Sequence, residues 1–347
     1  MVKKILILKP SSLGDVIHAL PVLRLLKLHR PQADIFWWID AGLASLLEGD
    51  PDLTGLFLFE RKRWNSPRRW PEAWRTIRAL RAERFDWVID LQSLLRTGLV
   101  AWLANGAFTV GLDDTREGAP AFYDVAVPRP SYGTHAVDWY KQVLEVLDVP
   151  AERPFTWLPP RPAAAAQVEA LWQPARVRDT RWIALQPGAR WKNKRWPAEH
   201  FAETVRLLTA RHAELCFAVF GGPEDQALGA TLTEAAPRRC LDLTGRTSLA
   251  QTIEWLRRCE LMVTNDTGPM HIAAALGKRV IALFGPTDPR RTGPYGQQAG
   301  VLQLHLPCVP CLKDSCRWIR PHECLQALPA NEVVTRVEAC LAKSVER

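Results

Sequence analysis

Two short runs carry residue types that could do chemistry. The first is Pro10-Ser11-Ser12-Leu13-Gly14-Asp15; the second is Asn265-Asp266-Thr267-Gly268-Pro269-Met270-His271. Asp15, on a glycine turn, could accept a proton from an attacking hydroxyl. Ser12 and Asp15 could equally be no more than helix caps. Thr267 and Gly268 stand where free N–H groups at a helix start would bind phosphate. Pro269 fits the first helical turn, where its missing N–H costs nothing. His271, one turn in, could donate to a diphosphate or simply cap and pack.

Further polar loops join the second run. Trp191-Lys192-Asn193-Lys194-Arg195-Trp196-Pro197 offers Lys192, Lys194 and Arg195 to a phosphate leaving group, or forms a solvated basic turn. In Gly221-Gly222-Pro223-Glu224-Asp225, Glu224 could bind ribose hydroxyls or cap its helix. Gly285-Pro286-Thr287-Asp288-Pro289 adds a polar lip. The sequence lacks GxGxxG after the first strand, GxxxxGK[ST], GxSxG and HExxH. A dinucleotide-type cofactor site and a P-loop are therefore not expected.

Positioning these loops requires alternating strands and helices. Short β-branched or aromatic runs predict strands at 4–9, 35–39, 56–59, 86–90 and 108–111. Apolar residues at helical spacing predict helices at 15–29, 41–48, 70–84, 93–104 and 135–147. The alternation resumes with strands 181–186, 215–220, 240–243, 261–264 and 279–283, and helices 197–211, 224–235, 248–258 and 268–276. A last helix is expected at about 330–344. Such alternation implies parallel sheets wrapped by helices. Each polar loop then falls at the carboxyl edge of a sheet, where open α/β sheets bind ligands. The proline-dense stretch from Val149 to Ala166 reads as the connector between two α/β domains facing each other across a cleft.

The 347 residues are enough for two domains with real cores. Hydrophobic content of 47% with 24% charged residues is that of a soluble globular protein. The start MVKKILILKP is not that of a signal peptide, and no apolar run is long enough to span a membrane, so the expected location is cytoplasmic. The net charge is +8, and nine Lys/Arg against two acids fall between Arg61 and Arg84, with Trp64, Trp70 and Trp74 among them. That stretch suits a polyanion, anionic lipid headgroups or an acidic sugar acceptor, or is a solvated helix face with arginine stems on tryptophan. Cys308, Cys311, Cys316 and Cys324 are spaced C-x2-C-x4-C-x7-C. They could form a zinc site or a reduced, metal-free loop.

KPSSLGDVIHALP, KRWP at 194–197, GGPED at 221–225 and NDTGPMHIAAALGKRVIALFGPTDP together resemble the bacterial ADP-heptose:lipopolysaccharide heptosyltransferases, glycosyltransferase family 9. The resemblance runs the length of the chain. It implies a GT-B fold, with two Rossmann-like domains whose parallel sheets face a central cleft. The implied division is 1–160 for acceptor binding, 161–329 for nucleotide-sugar binding, and a helix at 330–347 crossing back to the first domain. It implies inverting transfer of heptose from ADP-heptose to the inner core of lipopolysaccharide, with no cofactor or Mg²⁺ required. Asp15 would be the general base, and Ser12 would touch the donor phosphate. Lys194, or Lys192 two residues earlier, would neutralise the leaving diphosphate. Glu224 would hold the ribose, Asp266 the heptose hydroxyls, Thr267 and Gly268 the phosphate, and His271 would support that loop. Arg116, with Arg61 and Arg63 in the basic stretch, would bind the acidic acceptor. Implied partners are ADP-heptose, the inner-core acceptor and, transiently, the inner-membrane surface, but not nucleic acid. A paralogue with another donor or acceptor fits the same residues. A zinc-bearing polyanion- or lipid-binding protein is the reading from another class.

Overall fold

The computed structural model describes residues 2–60, 70–114, 116–175 and 180–345. The chain divides into two compact units, Met1–Pro159 and Pro160–Arg347.

In the first unit, β1 (Lys4–Leu8), β2 (Asp34–Asp40), β3 (Gly55–Phe59), β4 (Trp87–Asp90), β5 (Phe108–Leu112) and β6 (Val125–Val127) form one parallel sheet. Its order is β3-β2-β1-β4-β5-β6. The helices are α1 (Leu13–His29), α2 (Trp70–Ala82), α3 (Leu95–Ala104), α4 (Ala136–Lys141) and α5 (Val143–Val146). Ile5 to Leu8 of β1 are fully buried. An unbroken apolar run suits a central parallel strand covered on both faces.

The second unit repeats the plan with β7 (Arg181–Gln186), β8 (Leu215–Val219), β9 (Cys240–Asp242), β10 (Leu261–Asn265), β11 (Arg279–Phe284) and β12 (Val301–Gln303). Their order is β12-β11-β10-β7-β8-β9, again parallel throughout. Around them lie α6 (Pro162–Ala175), α7 (Ala198–Arg211), α8 (Gln226–Ala235), α9 (Leu249–Arg258), α10 (Gly268–Ala275), α11 (Pro289–Thr292), α12 (Glu323–Gln326) and α13 (Ala330–Val345). In each sheet the strand order reverses beside the first strand, between β1 and β4 and between β7 and β10. That reversal opens a crevice at the carboxyl ends of those strands.

Several expectations change. The connector is shorter than the proline count suggested, because Pro162 opens α6 and the alanines after it are helical. Proline is well accommodated at a first helical position. Residues 41–48 form a 3-10 helix, Ala41–Leu46, whose first turn is capped by Asp40 accepting from Gly42 N at 2.9 Å. The expected helix 135–147 is two pieces, α4 and α5. β6 and β12 were not foreseen. The last helix, expected to cross back, is placed with the second unit: Val333, Val334, Val337 and Leu341 are buried in one core with Ile183, Phe201 and Val263. Its apolar stripe is thereby used on the second unit's own sheet. No helix among the described residues is long and apolar enough to cross a membrane.

Candidate active site

At the first crevice, β1 runs out into Lys9 and then the serine loop. Asp15 sits in the first turn of α1 and folds back on Ser12. Its Oδ2 accepts from Ser12 N at 3.0 Å and from Ser12 Oγ at 2.7 Å. Both bonds run from Ser12 to the carboxylate, so Asp15 caps the start of α1 as the bland reading of these residues has it. The same cap holds a half-buried carboxylate at the sheet edge, one oxygen fixed by the serine.

Beneath it lies a residue the sequence reading passed over. Lys9 is 3% exposed, and its Nζ donates to Leu91 O at 2.8 Å and to Tyr140 Oη at 3.0 Å. Burial opposes its charge, but Tyr140, Asp15 and Asp90 outweigh burial and hold its pKa above the ordinary lysine value. The ammonium thus carries a fixed positive charge between the Asp15 loop and the end of β4. Asp90, the last residue of β4, is fully buried and accepts from Gln92 N at 2.8 Å, Ser93 N at 3.1 Å and Tyr123 Oη at 2.7 Å. Burial raises its pKa in spite of those bonds.

Arg116 is not an idle cation. Its Nη2 lies 2.5 Å from Asp114 Oδ2, although its side chain is 74% exposed. An exposed pair of this kind is worth little in stability and can open to an acidic ligand at small cost. Arg61 and Arg63 lie outside the described residues.

At the second crevice, loops after β7 and β10 meet through an ion pair. A 3-10 turn, Lys192–Lys194, points its two lysines differently. Lys192 is exposed, whereas Lys194 Nζ lies 2.6 Å from Asp266 Oδ2 and 4.7 Å from the Trp191 ring centroid. Asp266 is 6% exposed and also accepts from Thr287 Oγ1 at 2.5 Å. Asn265 ties the same loops together: its Nδ2 donates to Pro187 O at 2.7 Å, and its Oδ1 accepts from Trp196 N at 3.0 Å. Asn193, buried in the middle of the turn, donates to Lys313 O at 2.8 Å, so the cysteine-bearing segment braces the lysine turn.

Thr267 is the N-cap of α10, with Gly268 and Pro269 in its first turn. The N–H groups of that turn and the helix dipole favour an anion beside the Lys194 ammonium. His271 is 7% exposed. Glu224 is exposed beside Gly222, and Asp225 behind it is buried, accepting from Gly222 N at 3.1 Å and facing Arg195 Nη2 at 3.6 Å. Gly188 is required there, since a Cβ at that position would overlap the Asp225 carboxylate. Lys194, Asp266, Thr267, Gly268 and Thr287 are therefore brought to one place. Glu224 lies on the separate loop after β8.

The four cysteines of the zinc alternative lie near one another. Among the described residues, no group of three or more His, Cys, Asp or Glu side chains is placed to hold a metal. Cys316 Sγ instead accepts the His322 N–H at 3.3 Å, and Cys324 sits in α12 beside Gly285. Burial, followed by the neighbouring thiols Cys316, Cys308 and Cys311, pushes the Cys324 pKa up to about 11, which keeps it a thiol at neutral pH.

The chain is similar along its length to known proteins. Lipopolysaccharide heptosyltransferase 1 of Pseudomonas aeruginosa is 28% identical over 97% of this chain and 98% of its own length. Lipopolysaccharide heptosyltransferase 2 of Salmonella typhimurium is 28% identical over 87% of this chain and 88% of its own. The crystal structure of the glycosyl transferase family 9 from Veillonella parvula superposes with a TM-score of 0.83 at 25% identity, covering 98% of each chain. The structure of E. coli heptosyltransferase WaaC with ADP does so with a TM-score of 0.75 at 25% identity, covering 97% of this chain and 99% of that one. The two parallel six-stranded sheets are those of the GT-B heptosyltransferases. Residues 73–320 match glycosyltransferase family 9 (heptosyltransferase), and the chain belongs to that family.

Proposed function

We propose that this chain transfers heptose from ADP-heptose to the inner core of lipopolysaccharide, with inversion and with Asp15 as general base. The observation that carries the reading is the cluster at the second crevice. A lysine, a buried carboxylate and a threonine hydroxyl meet beside the open N-terminus of α10. That set suits a sugar diphosphate: cation and helix N–H groups for the phosphates, carboxylate for sugar hydroxyls.

In the proposed step an acceptor hydroxyl oxygen attacks the anomeric carbon of the heptose. The bond from that carbon to the diphosphate oxygen breaks, and its electron pair leaves with ADP. Asp15 takes the hydroxyl proton, and Ser12 holds the carboxylate in place through its second oxygen. Charge grows on the leaving diphosphate, where Lys194 and the first turn of α10 stabilise it. Thr267 and Gly268 bind through their N–H groups, His271 supports their loop, and Glu224 reaches the ribose. Lys194 is favoured over Lys192 because it is already drawn to the β10 loop while Lys192 faces solvent. Arg116 receives the acidic acceptor once its partner Asp114 gives way. The reaction needs no metal or other cofactor and survives a chelator. It runs at the cytoplasmic face of the inner membrane, because its acceptor is lipid-borne.

The test is the product itself. Incubation with ADP-heptose and a truncated inner-core acceptor should add one heptose by mass, with the anomeric configuration inverted relative to the donor by NMR. A retained configuration, or a different sugar accepted in preference, would refute the reading.

A further inference from the structure

We infer that the face formed by α2 and α3 of the first unit docks on an anionic lipid bilayer. A helix on the outside of a globular unit ordinarily turns polar residues to water. Here α3 turns out Leu95, Leu99 and Trp102, spaced one helical turn apart and 51%, 42% and 60% exposed. The neighbouring α2 does the same with Trp70 and Trp74, 58% and 57% exposed. Between the helices runs an apolar groove of ≈ 280 Å³, walled by Trp70, Trp74, Ile77, Leu99 and Leu103 and floored by Trp38. Scattered exposed apolar residues need no explanation, but a contiguous patch with three tryptophans does.

Charge selects the occupant. Arg75, Arg78, Arg81 and Arg84 are exposed on or just after α2, and Arg96 lines the groove. The acids there are half-buried, and Glu83 is paired with Lys4 at 2.6 Å. A second copy of the chain would set this arginine field against itself across a two-fold axis, since such interfaces pair one patch with the same patch. An anionic bilayer offers the complement: headgroup phosphates for the guanidinium groups, and an interfacial layer for indole rings. The placement also has a use, and here the inference rests on the proposed lipid-borne acceptor. α3 begins at the carboxyl edge of the sheet, where Leu95 N donates to Glu117 Oε2 at 3.1 Å, close to Asp114 and Arg116. A bilayer held against α2 and α3 therefore presents its lipid-linked sugars to the edge that carries Asp15.

The experiment is co-sedimentation of the purified full chain with vesicles of phosphatidylcholine alone or with added phosphatidylglycerol. The wild type should partition onto the phosphatidylglycerol vesicles, less so at high salt. The double variant Leu99→Glu/Trp102→Glu should partition about tenfold more weakly at an unchanged unfolding temperature. Arg75→Glu/Arg78→Glu, which leaves the apolar stripe intact, should lose the preference for anionic vesicles. Transfer to a deacylated, soluble acceptor should be unaffected by Leu99→Glu/Trp102→Glu. Failure of the wild type to bind anionic vesicles would overturn the assignment, as would undiminished binding by the Leu99/Trp102 variant. So would a wild-type dimer in light scattering that the variant breaks. Vesicle binding as expected without sugar transfer to any acceptor would uphold the docking face and refute the proposed function.

Discussion

Lys194 Nζ lies 2.6 Å from Asp266 Oδ2 across the point where the second sheet reverses its strand order, so the loop after β7 is latched to the loop after β10. The pair is shielded, with side chains 18% and 6% exposed. Its ammonium is held against the residue just before the N-cap of α10. Lys194→Ala should lower kcat/KM about 10²–10³-fold, the scale of losing one charge-stabilising donor, and should weaken ADP binding. Lys192→Ala should change either quantity less than about threefold, as for an exposed surface charge. Steady-state kinetics with ADP-heptose distinguish them, and the reverse order would reassign the phosphate contact to Lys192.

Asp15 carries a different burden. Its cap to Ser12 can be made by an amide oxygen, so Asp15→Asn preserves the start of α1 while removing the proposed proton acceptor. The variant should bind ADP-heptose as the wild type does and turn over about 10²–10⁴-fold more slowly. Calorimetric donor binding beside a turnover assay checks both halves. A rate within about threefold of the wild type would remove Asp15 as the base.

Gly188 tests how the loop after β7 packs on the loop after β8. A Cβ there collides with the Asp225 carboxylate, which is buried and fixed by Gly222 N. Gly188→Ala should destabilise the second unit by about 1–3 kcal/mol, the usual cost of forcing extra volume into a packed site. Thermal unfolding reads this directly, and an unchanged midpoint would show that Asp225 is free to move.

Lys9 predicts an alkaline signature. Its folded-state pKa is raised above the ordinary 10.5, so the native state holds its proton longer than the unfolded chain does. The stability from its charge is fully present below pH 10.5 and lost as pH rises through the higher folded value. Tyr140, whose pKa burial also raises, weakens the fold in the same alkaline range. Lys9→Met should cost about 2–4 kcal/mol near neutral pH, by leaving the partners of a buried charge unsatisfied. It should also flatten the fall of the unfolding midpoint above pH 10, leaving the Tyr140 part. An unaltered alkaline slope would mean the lysine titrates alike in both states.

How much of this was legible follows from the range of each interaction. β1 and β10 carry the apolar runs Ile5–Leu8 and Leu261–Val263, each followed by polar residues, and a local pattern suffices to find them. β6 and β12, three residues each at the sheet edges, have no pattern to find. Lys9 falls at the end of the expected strand 4–9, and nothing local marks it as buried. What buries it is Leu91 and Tyr140, 82 and 131 residues away. Lys192 and Lys194 are equivalent by composition, and only the 3-10 turn, braced through Asn193 by the cysteine segment, points one inward. The cysteine spacing brings four thiols near one another, and spacing alone does not say that Cys316 Sγ accepts the His322 N–H or that Cys324 lies in α12.

The central claim is met most directly by measuring ADP release from ADP-heptose with a panel of truncated lipopolysaccharide acceptors. Other nucleotide sugars serve as donor controls. The account predicts release that requires one particular acceptor, is specific to ADP-heptose and disappears in Asp15→Asn. Release from another nucleotide sugar in preference, or neither release nor binding of ADP-heptose, would contradict it.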